Sequence, residues 1–150
     1  QRRGTQNNRQ GEEAIGLSRG GLSTKIHAMV DALGNPLAFL LTPGQAHDLE
    51  GADAFLPQMQ ADALLADKAF DADKRVIEPL LNAGKTPVIP SMPGRKQPRP
   101  YDRSLFKARH LIENFFCKLK QFRAIATRYD KRAINFLAGV YVAAIFIWLN

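Results

Sequence analysis

Residues 63–68 read Ala-Leu-Leu-Ala-Asp-Lys, a short uncharged run that ends abruptly in a carboxylate and an amine. Strands that are buried on both faces, as in parallel sheets, have such continuous apolar runs rather than alternating ones. Residues 86–90, Thr-Pro-Val-Ile-Pro, predict one more short strand. The pattern therefore places the carboxylate of Asp67 at the C-terminal end of a buried strand.

Toward the N-terminus, the sequence alternates between apolar and polar residues with a period of two. Thr24, Ile26, Ala28 and Val30 fall on one side of this segment, which predicts a half-buried strand. Gly34-Asn35-Pro36 breaks the pattern and a second apolar run, residues 37–42, follows, so the simplest interpretation is a β-hairpin. Residues 1–23 are polar and show neither a strand period nor a helix period, which predicts an arm or loop.

Three helical segments and an apolar tail complete the expected order of elements. Residues 48–59 have apolar residues at helical spacing, and Pro57 limits that helix. Asp71 or Asp73 is expected to cap the next helix, which Asn82-Ala83-Gly84 closes. A longer helix is expected from about Ser104 to Ala124. Residues 136–149 carry no charge but are shorter than the roughly 20 residues of a membrane-spanning helix, which favours a buried helix packed on a sheet.

Length and composition fit one globular domain, and the expected order of strands and helices places it in the α/β class. The chain has 150 residues, 45% of them hydrophobic, which is enough for a core. A single cysteine, Cys117, excludes an internal disulfide, and the polar N-terminus lacks a signal-peptide core, so an intracellular location is expected. No His/Cys group has the spacing of a zinc site, and no phosphate-binding Gly-Lys-Ser/Thr loop is present.

The positive charge is concentrated at the C-terminal end of the sequence. The net charge is +7, and residues 95–150 contain twelve Lys or Arg against three acids. This distribution is typical of a protein that binds the phosphates of a nucleic acid. A solvated basic surface without a ligand remains an equally open interpretation.

The predicted long helix places two cations and one acid on a single stripe. At 100° per residue, Glu113 lies 40° from Arg109, and Lys120 lies 20° from it. A basic stripe around one carboxylate suits a site where a metal-binding acid meets a phosphodiester. An ordinary surface ion pair between Arg109 and Glu113 explains the same spacing, and the spacing alone does not decide between the two.

Four ordered motifs resemble the DDE transposases of bacterial insertion sequences over nearly the whole chain. They are residues 16–28 (Gly-Leu-Ser-Arg-Gly-Gly-Leu-Ser-Thr-Lys-Ile-His-Ala), 65–71 (Leu-Ala-Asp-Lys-Ala-Phe-Asp), 109–116 (Arg-His-Leu-Ile-Glu-Asn-Phe-Phe) and 126–131 (Ala-Thr-Arg-Tyr-Asp-Lys). The resemblance implies a ribonuclease-H-like mixed sheet with flanking helices. It also implies three carboxylates that hold two Mg²⁺ (or Mn²⁺) ions, which activate water and then a DNA 3′-hydroxyl.

The resemblance also assigns the site residues. Asp67 matches the second acid and Glu113 the third, so both are expected to be catalytic and to bind metal. Phe106 stands where the family has a tyrosine. The residues expected to bind DNA are Arg95, Lys96, Arg109, Lys120, Arg123, Arg128 and Lys131.

The resemblance is incomplete at the start of the chain. In the family, the first acid ends a strand that precedes the Gly-rich residues 18–21, and here only a charged segment with Glu12 and Glu13 lies before them. We therefore expect residues 24–150 to be the C-terminal part of the catalytic domain, without its first strand and first acid, and to be inactive alone. A non-catalytic basic DNA-binding remnant is the alternative, and a structural fragment that self-associates through an exposed sheet edge is a third.

The resemblance further implies where the protein acts and with what. The expected partner is double-stranded DNA, both at the ends of the insertion sequence and at its target. A homo-oligomer without a membrane partner is expected, in the bacterial cytoplasm and associated with the nucleoid.

Overall fold

The computed structural model describes residues 13–149. Residues 1–12, which are the larger part of the predicted arm, and Asn150 lie outside the described residues. The chain divides into two compact units, one made of residues 13–46 and 112–149 and the other of residues 47–111.

The first unit contains an antiparallel sheet of three strands. They are β1 (Gly16–Ser18), β2 (Gly21–Val30) and β3 (Pro36–Pro43), in the order β1-β2-β3. The predicted hairpin is confirmed, since Thr24 pairs with Pro43 and Ala28 with Phe39. Asp31 closes its turn, because the carboxylate accepts hydrogen bonds from the amides of Leu33 and Asn35, at 2.8 and 2.9 Å.

The prediction of an arm or loop is wrong for residues 16–23. Ser18 pairs with Gly21 and Gly16 with Ser23, so the Gly-rich stretch is itself a tight hairpin that extends β2. Gly21 has a φ of +99°, a conformation that side chains disfavour. A Cβ at Gly16 would lie 1.6 Å from the Gln45 side chain. Two of the glycines therefore have a steric role in this hairpin.

Three helices complete the first unit. They are α4 (His110–Leu119), α5 (Arg123–Thr127) and α6 (Ala133–Leu149). One face of α6 packs on the sheet, as predicted for the apolar tail, and the core combines side chains from β3 and all three helices. Its buried members are Phe39, Phe115, Leu119, Ile125, Phe136, Val140, Ala143 and Ala144. No helix within residues 13–149 is both long and apolar enough to cross a membrane.

The second unit is built around a parallel pair of strands, β4 (Ala63–Leu65) and β5 (Thr86–Val88). Helix α1 (Leu49–Phe55) precedes the pair and continues as a 3₁₀ turn, Leu56–Gln58, that contains Pro57. A π-helical turn (Asp73–Ile77) and α2 (Glu78–Asn82) connect the strands, and α3 (Arg103–Phe106) follows them. Both predicted strands are confirmed, as is a mixed α/β architecture with antiparallel and parallel strands.

The prediction of one continuous helix from Ser104 to Ala124 is wrong. Helix α3 ends at Phe106, a 3₁₀ turn (Lys107–Arg109) follows, and α4 and α5 are separated by residues 120–122. Phe122 has an extended conformation and is partly buried against the core of the first unit. Burial of this side chain is a tertiary interaction, which helical periodicity does not reveal.

Candidate functional site

Asp67 follows β4 directly, where the sequence predicts it. Its backbone is extended, and its carbonyl accepts a hydrogen bond of 2.9 Å from the amide of Phe70, which closes a 3₁₀ turn (Lys68–Phe70). The strand ends before this residue, and 56% of its side chain is exposed. Asp67 is thus positioned by backbone structure and remains accessible to a ligand.

The partner of Asp67 within the second unit is Arg109. The guanidinium NH1 of Arg109 lies 3.0 Å from the Asp67 carboxylate. Its central carbon lies 5.4 Å from the centroid of the Phe106 ring, close enough for a cation–π interaction. Tyr101 packs edge-on against Phe106, with ring centroids 5.4 Å apart. An aromatic pair thus supports the arginine that meets Asp67.

The segment that carries Arg109 begins with a side-chain cap. The carboxylate of Asp102 accepts hydrogen bonds from the amides of Ser104 and Leu105, at 2.8 and 2.9 Å. An aspartate at this position satisfies amides that have no partner in the first turn of a helix. The cap starts α3, and the 3₁₀ turn that follows brings Arg109 to Asp67.

Glu113 and Lys120 belong to the first unit. Both side chains are exposed, whereas Phe115 and Leu119 of the same helix are buried. Lys120 lies just past the end of α4, but its amide still donates to the carbonyl of Phe116 at 3.0 Å. The predicted single helical stripe is interrupted, because Arg109 lies in the 3₁₀ turn before α4 and Lys120 lies past its end.

The donor chemistry of Asp67 and Glu113 fits a divalent cation such as Mg²⁺. Magnesium prefers oxygen ligands and is usually held by one or two carboxylates, together with water and substrate phosphates. Both carboxylates belong to exposed residues. Among residues 13–149, no group of three His, Cys, Asp or Glu side chains is arranged to hold a metal ion.

The prediction that Asp71 or Asp73 caps a helix is wrong. Neither side chain makes a capping hydrogen bond at the π-helical turn, where Ala72 is the N-cap residue. Both carboxylates instead bind Arg95 and Arg99 of the proline-rich loop. This ion-pair cluster is a structural feature that the sequence reasoning missed, and an Asp-x-Asp pair followed by two loop arginines is the signal that could have revealed it.

Asp71 is the buried centre of that cluster. Its side chain is 0% exposed and accepts hydrogen bonds from the amide of Met92 at 2.7 Å and from Nε of Arg95 at 2.8 Å, while Arg99 binds its other oxygen. NH1 of Arg95 also contacts Asp73 at 3.0 Å. Arg95, predicted to bind DNA, is therefore committed to holding its own loop.

Arg128, another predicted DNA-binding residue, is also committed to the fold. A guanidinium has five N–H donors, and here all five have protein acceptors. Four are the carbonyls of Glu13, Ala14, Asp130 and Lys131, and the fifth is the hydroxyl of Thr24. The guanidinium also lies 4.8 Å from the centroid of the Phe136 ring. Burial lowers the pKa of Arg128, but an arginine stays protonated near neutral pH.

Four other predicted DNA-binding residues are exposed, whereas Arg109 is only partly so. Lys96 lies on the proline-rich loop, Arg123 begins α5, and Lys131 lies between α5 and α6. With Lys120, they are lysine or arginine side chains at the surface, where a phosphate backbone could reach them.

Comparisons with known proteins agree with the motifs. The family model described as "Transposase DDE domain" matches residues 2–148. A Brucella ovis protein named "Putative transposase for insertion sequence element IS6501" is 39% identical over 130 residues, which cover 86% of this chain and 100% of that protein. No solved structure matches the chain significantly. The family match over almost the whole length shows that this chain belongs to the DDE transposases.

Proposed function

We propose that this chain takes part in DNA transposition as the C-terminal part of a ribonuclease-H-like catalytic domain, with Asp67 and Glu113 as two of its metal-binding acids. The reaction is phosphodiester cleavage at the ends of an insertion sequence, followed by strand transfer, in the cytoplasm of a bacterium and on nucleoid DNA. The observation that carries the proposal is the exposed carboxylate of Asp67 at the end of a parallel strand, paired with Arg109.

The exposure of Asp67 favours a ligand-binding role over a structural one. Asp71, four residues later, is the structural counterpart, since it is fully buried and is bound by a backbone amide and two arginines. Asp67 has more than half of its side chain exposed. Exposed ion pairs contribute only about 0–1 kcal/mol to stability, so the pair with Arg109 is not needed to hold the strand in place.

The chemistry of a phosphodiester suits these side chains. When bound, a divalent cation lowers the pKa of an attacking water and neutralises charge on the phosphate. Oxygen of water attacks phosphorus, the bond from phosphorus to the 3′-oxygen breaks, and that oxygen takes up the proton that the water loses. The resulting 3′-hydroxyl then attacks a target phosphodiester and loses its proton, while the bond from the target phosphorus to its own 3′-oxygen breaks and that oxygen is protonated. Arg109 beside Asp67 would bind non-bridging phosphate oxygens, because its planar guanidinium can donate two parallel hydrogen bonds.

Fewer basic side chains are assigned to the rest of the DNA than the net charge alone predicts. Arg95 and Arg128 hold the fold, so we assign phosphate binding to Lys96, Lys120, Arg123 and Lys131, together with Arg109. Each phosphate neutralised by these side chains releases counterions, which makes the affinity fall with salt.

We further propose that the 150-residue chain does not cleave DNA alone. The family motif places its first acid before the Gly-rich hairpin, and residues 13–149 contain no group of three acids arranged to hold metal. In this proposal Asp67 and Glu113 supply two of the three acids. This chain then contributes DNA contacts and part of the metal site.

Manganese binding followed by electron paramagnetic resonance tests the metal role. We expect Asp67→Asn and Glu113→Gln to weaken Mn²⁺ binding at least about tenfold, in line with the loss typical of altered metal sites. Asp62→Asn, an exposed aspartate just before β4, is the matched control and is expected to bind Mn²⁺ like the unaltered chain. Equal binding by all variants would contradict a metal role for the two acids.

A plasmid-nicking assay with Mg²⁺ tests the incomplete site separately. We expect the unaltered chain to bind DNA without nicking it. Nicking that disappears in Asp67→Asn would refute the proposed incompleteness and leave the catalytic role standing.

A basic DNA-binding remnant is the second candidate function. The exposed Lys96, Lys120, Arg123 and Lys131 favour it, since they can bind phosphate without any metal. This candidate predicts salt-dependent DNA binding that is indifferent to Mg²⁺ and unchanged in Asp67→Asn. The catalytic proposal instead predicts that Mg²⁺ strengthens DNA binding by the unaltered chain and not by that variant.

A further inference from the structure

Asp67 is followed by two overlapping turns that end at Asp71. The carbonyl of Asp67 accepts a hydrogen bond from the amide of Phe70 at 2.9 Å, and the carbonyl of Lys68 accepts one from the amide of Asp71 at 3.0 Å. Each hydrogen bond restricts the few backbone dihedrals that lie between its donor and its acceptor. A displacement of Asp71 is therefore transmitted through the turns to Asp67.

On the other side of Asp67, the contact with the neighbouring strand weakens. Strand β4 ends at Leu65, and the next residue, Ala66, donates to the carbonyl of Val88 at 3.4 Å. Backbone hydrogen bonds are usually about 2.7–3.2 Å long, so this one is weak. The position of Asp67 therefore depends on the turns that follow it.

Asp71 is the fixed end of these turns, because its side chain is 0% exposed and is bound on both oxygens. One oxygen accepts hydrogen bonds from the amide of Met92 at 2.7 Å and from Nε of Arg95 at 2.8 Å, and the other binds Arg99. Hydrogen bonds between charged groups are about twice as strong as neutral ones, and breaking a buried ion pair leaves a charge without a partner. The cluster therefore resists displacement of Asp71.

The loop that supplies these donors is braced by its own hydrogen bonds. The amide of Arg95 donates to the carbonyl of Met92 at 3.2 Å, and the amide of Arg99 donates to the hydroxyl of Ser91 at 2.9 Å. Within the first of these turns, Gly94 has a φ of +85°, a conformation that side chains disfavour. The two guanidinium groups are thus held where they meet the buried carboxylate.

A purely structural role of the cluster is the alternative. Arg95 and Arg99 would then fasten only the proline-rich loop, and Asp67 would keep its position without them. The hydrogen bond from the amide of Asp71 to the carbonyl of Lys68 favours a positioning role, because it lies between the cluster and Asp67. Only the positioning role predicts that weakening the cluster changes metal binding.

We propose that Asp71, held by Arg95 and Arg99, positions the carboxylate of Asp67 for metal binding. Asp71 itself does not touch the metal, because both of its oxygens already bind protein donors. This role rests on the proposed function, since it requires Asp67 to be a metal ligand. Asp71 then acts on the metal site through the backbone of residues 67–71.

Manganese binding by Arg95→Gln, followed by electron paramagnetic resonance, tests this role. Removing a cation reduces the repulsion of Mn²⁺ and by itself tightens binding, whereas displacement of Asp67 weakens it. We expect the affinity to fall at least about fivefold, in line with the effect of residues that orient metal ligands. Arg75→Gln removes an arginine that pairs with the exposed Asp53 and is the matched control, with unchanged affinity expected. Equal or tighter binding by Arg95→Gln would overturn the proposal.

Arg95→Lys keeps the charge and changes only the geometry of the donors. Its compact ammonium group replaces a planar guanidinium that contacts both Asp71 and Asp73. We expect the Mn²⁺ affinity to fall at least about twofold. This milder variant also decides the question if Arg95→Gln does not fold, since unchanged affinity would overturn the proposal.

Hydrogen exchange separates positioning from general destabilisation. In Arg95→Gln we expect the amide of Phe70, which is bonded to Asp67, to exchange at least about tenfold faster. The amide of Thr86, which donates to the carbonyl of Asp62 at 2.8 Å, is expected to exchange at its usual rate. Equal acceleration of the two amides would show general unfolding and would overturn the proposal.

Two further variants complete the comparison of Mn²⁺ affinities. Leu80→Ala truncates a buried side chain of α2 and destabilises the same unit, but it is expected to keep the affinity of the unaltered chain. A loss equal to that of Arg95→Gln would overturn the positioning role. If Asp67→Asn binds Mn²⁺ like the unaltered chain, the metal role of Asp67 is wrong and the positioning role is wrong as well. If Asp67→Asn loses Mn²⁺ while Arg95→Gln does not, only the positioning role is overturned.

Discussion

Arg109 and Arg128 differ sharply in what their guanidinium groups do. In the first unit, Arg128 has all five donors on protein acceptors, four of which are backbone carbonyls. In the second unit, the printed contacts of Arg109 include the exposed carboxylate of Asp67 and the face of the Phe106 ring. Both residues lie within motifs that resemble the transposase family. A motif arginine can therefore be surrounded by acceptors of the fold or lie beside an exposed carboxylate, and its hydrogen-bond partners distinguish the two settings.

Arg95 and Arg99 extend this comparison to the second unit. They hold the proline-rich loop on the buried carboxylate of Asp71. Three of the twelve cations in residues 95–150 are therefore occupied by the fold itself. The net charge of a segment therefore overestimates its capacity to bind phosphate, because it counts arginines whose guanidinium groups already bind acceptors of the protein.

The largest expected effect is the loss of stability on replacing Arg128. Arg128→Met leaves partly buried carbonyls without donors, and we expect the free energy of unfolding to fall by about 2–4 kcal/mol. Urea denaturation measures it. Arg132→Met removes an exposed arginine from the same segment and is expected to change stability by less than about 0.5 kcal/mol. Similar losses in the two variants would remove the distinction between structural and exposed arginines.

A smaller effect is expected when the centre of the ion-pair cluster is neutralised. Asp71→Asn keeps the shape of the side chain but weakens its bonds to two arginines, and we expect a loss of about 1–3 kcal/mol. Limited trypsin digestion should then cut faster after Arg95 and Lys96. In Asp73→Asn, where the carboxylate is half-exposed, digestion is expected to accelerate less. Unchanged digestion of Asp71→Asn would show that the cluster does not hold the loop.

The smallest expected effect on stability is that of Arg109→Gln, at less than about 1 kcal/mol. Its effect should appear in DNA binding, where the slope of log affinity against log salt is expected to decrease by about 0.9 for one lost phosphate contact. Arg75→Gln is the control, because Arg75 also forms an exposed pair with an aspartate, Asp53. Equal slopes for the two variants would show that Arg109 does not contact phosphate.

Sequence reasoning located the strands and Asp67 because these features have local signals. The period-two pattern after Thr24 and the apolar run before Asp67 both reflect burial of the strands. The break of the long helix had no such signal, since residues 104–124 contain neither glycine nor proline. The cluster around Asp71 joins residues more than twenty positions apart, and short-range patterns do not report such contacts. The Gly-rich hairpin was missed because its strand β1 has only three residues.

The hydrogen bonds of Arg128 affect the order in which parts of the protein fold during synthesis. Its guanidinium joins Arg128 to the carbonyl of Ala14, 114 residues earlier. Residues 47–111 form a continuous unit, so that unit can fold as soon as it leaves the ribosome. Residues 13 and 14, which lead into the first hairpin, can be bound by Arg128 only after residue 128 has emerged. A translational pause before residue 128 has emerged would therefore leave the second unit folded while the N-terminal sheet still lacks its contacts with Arg128.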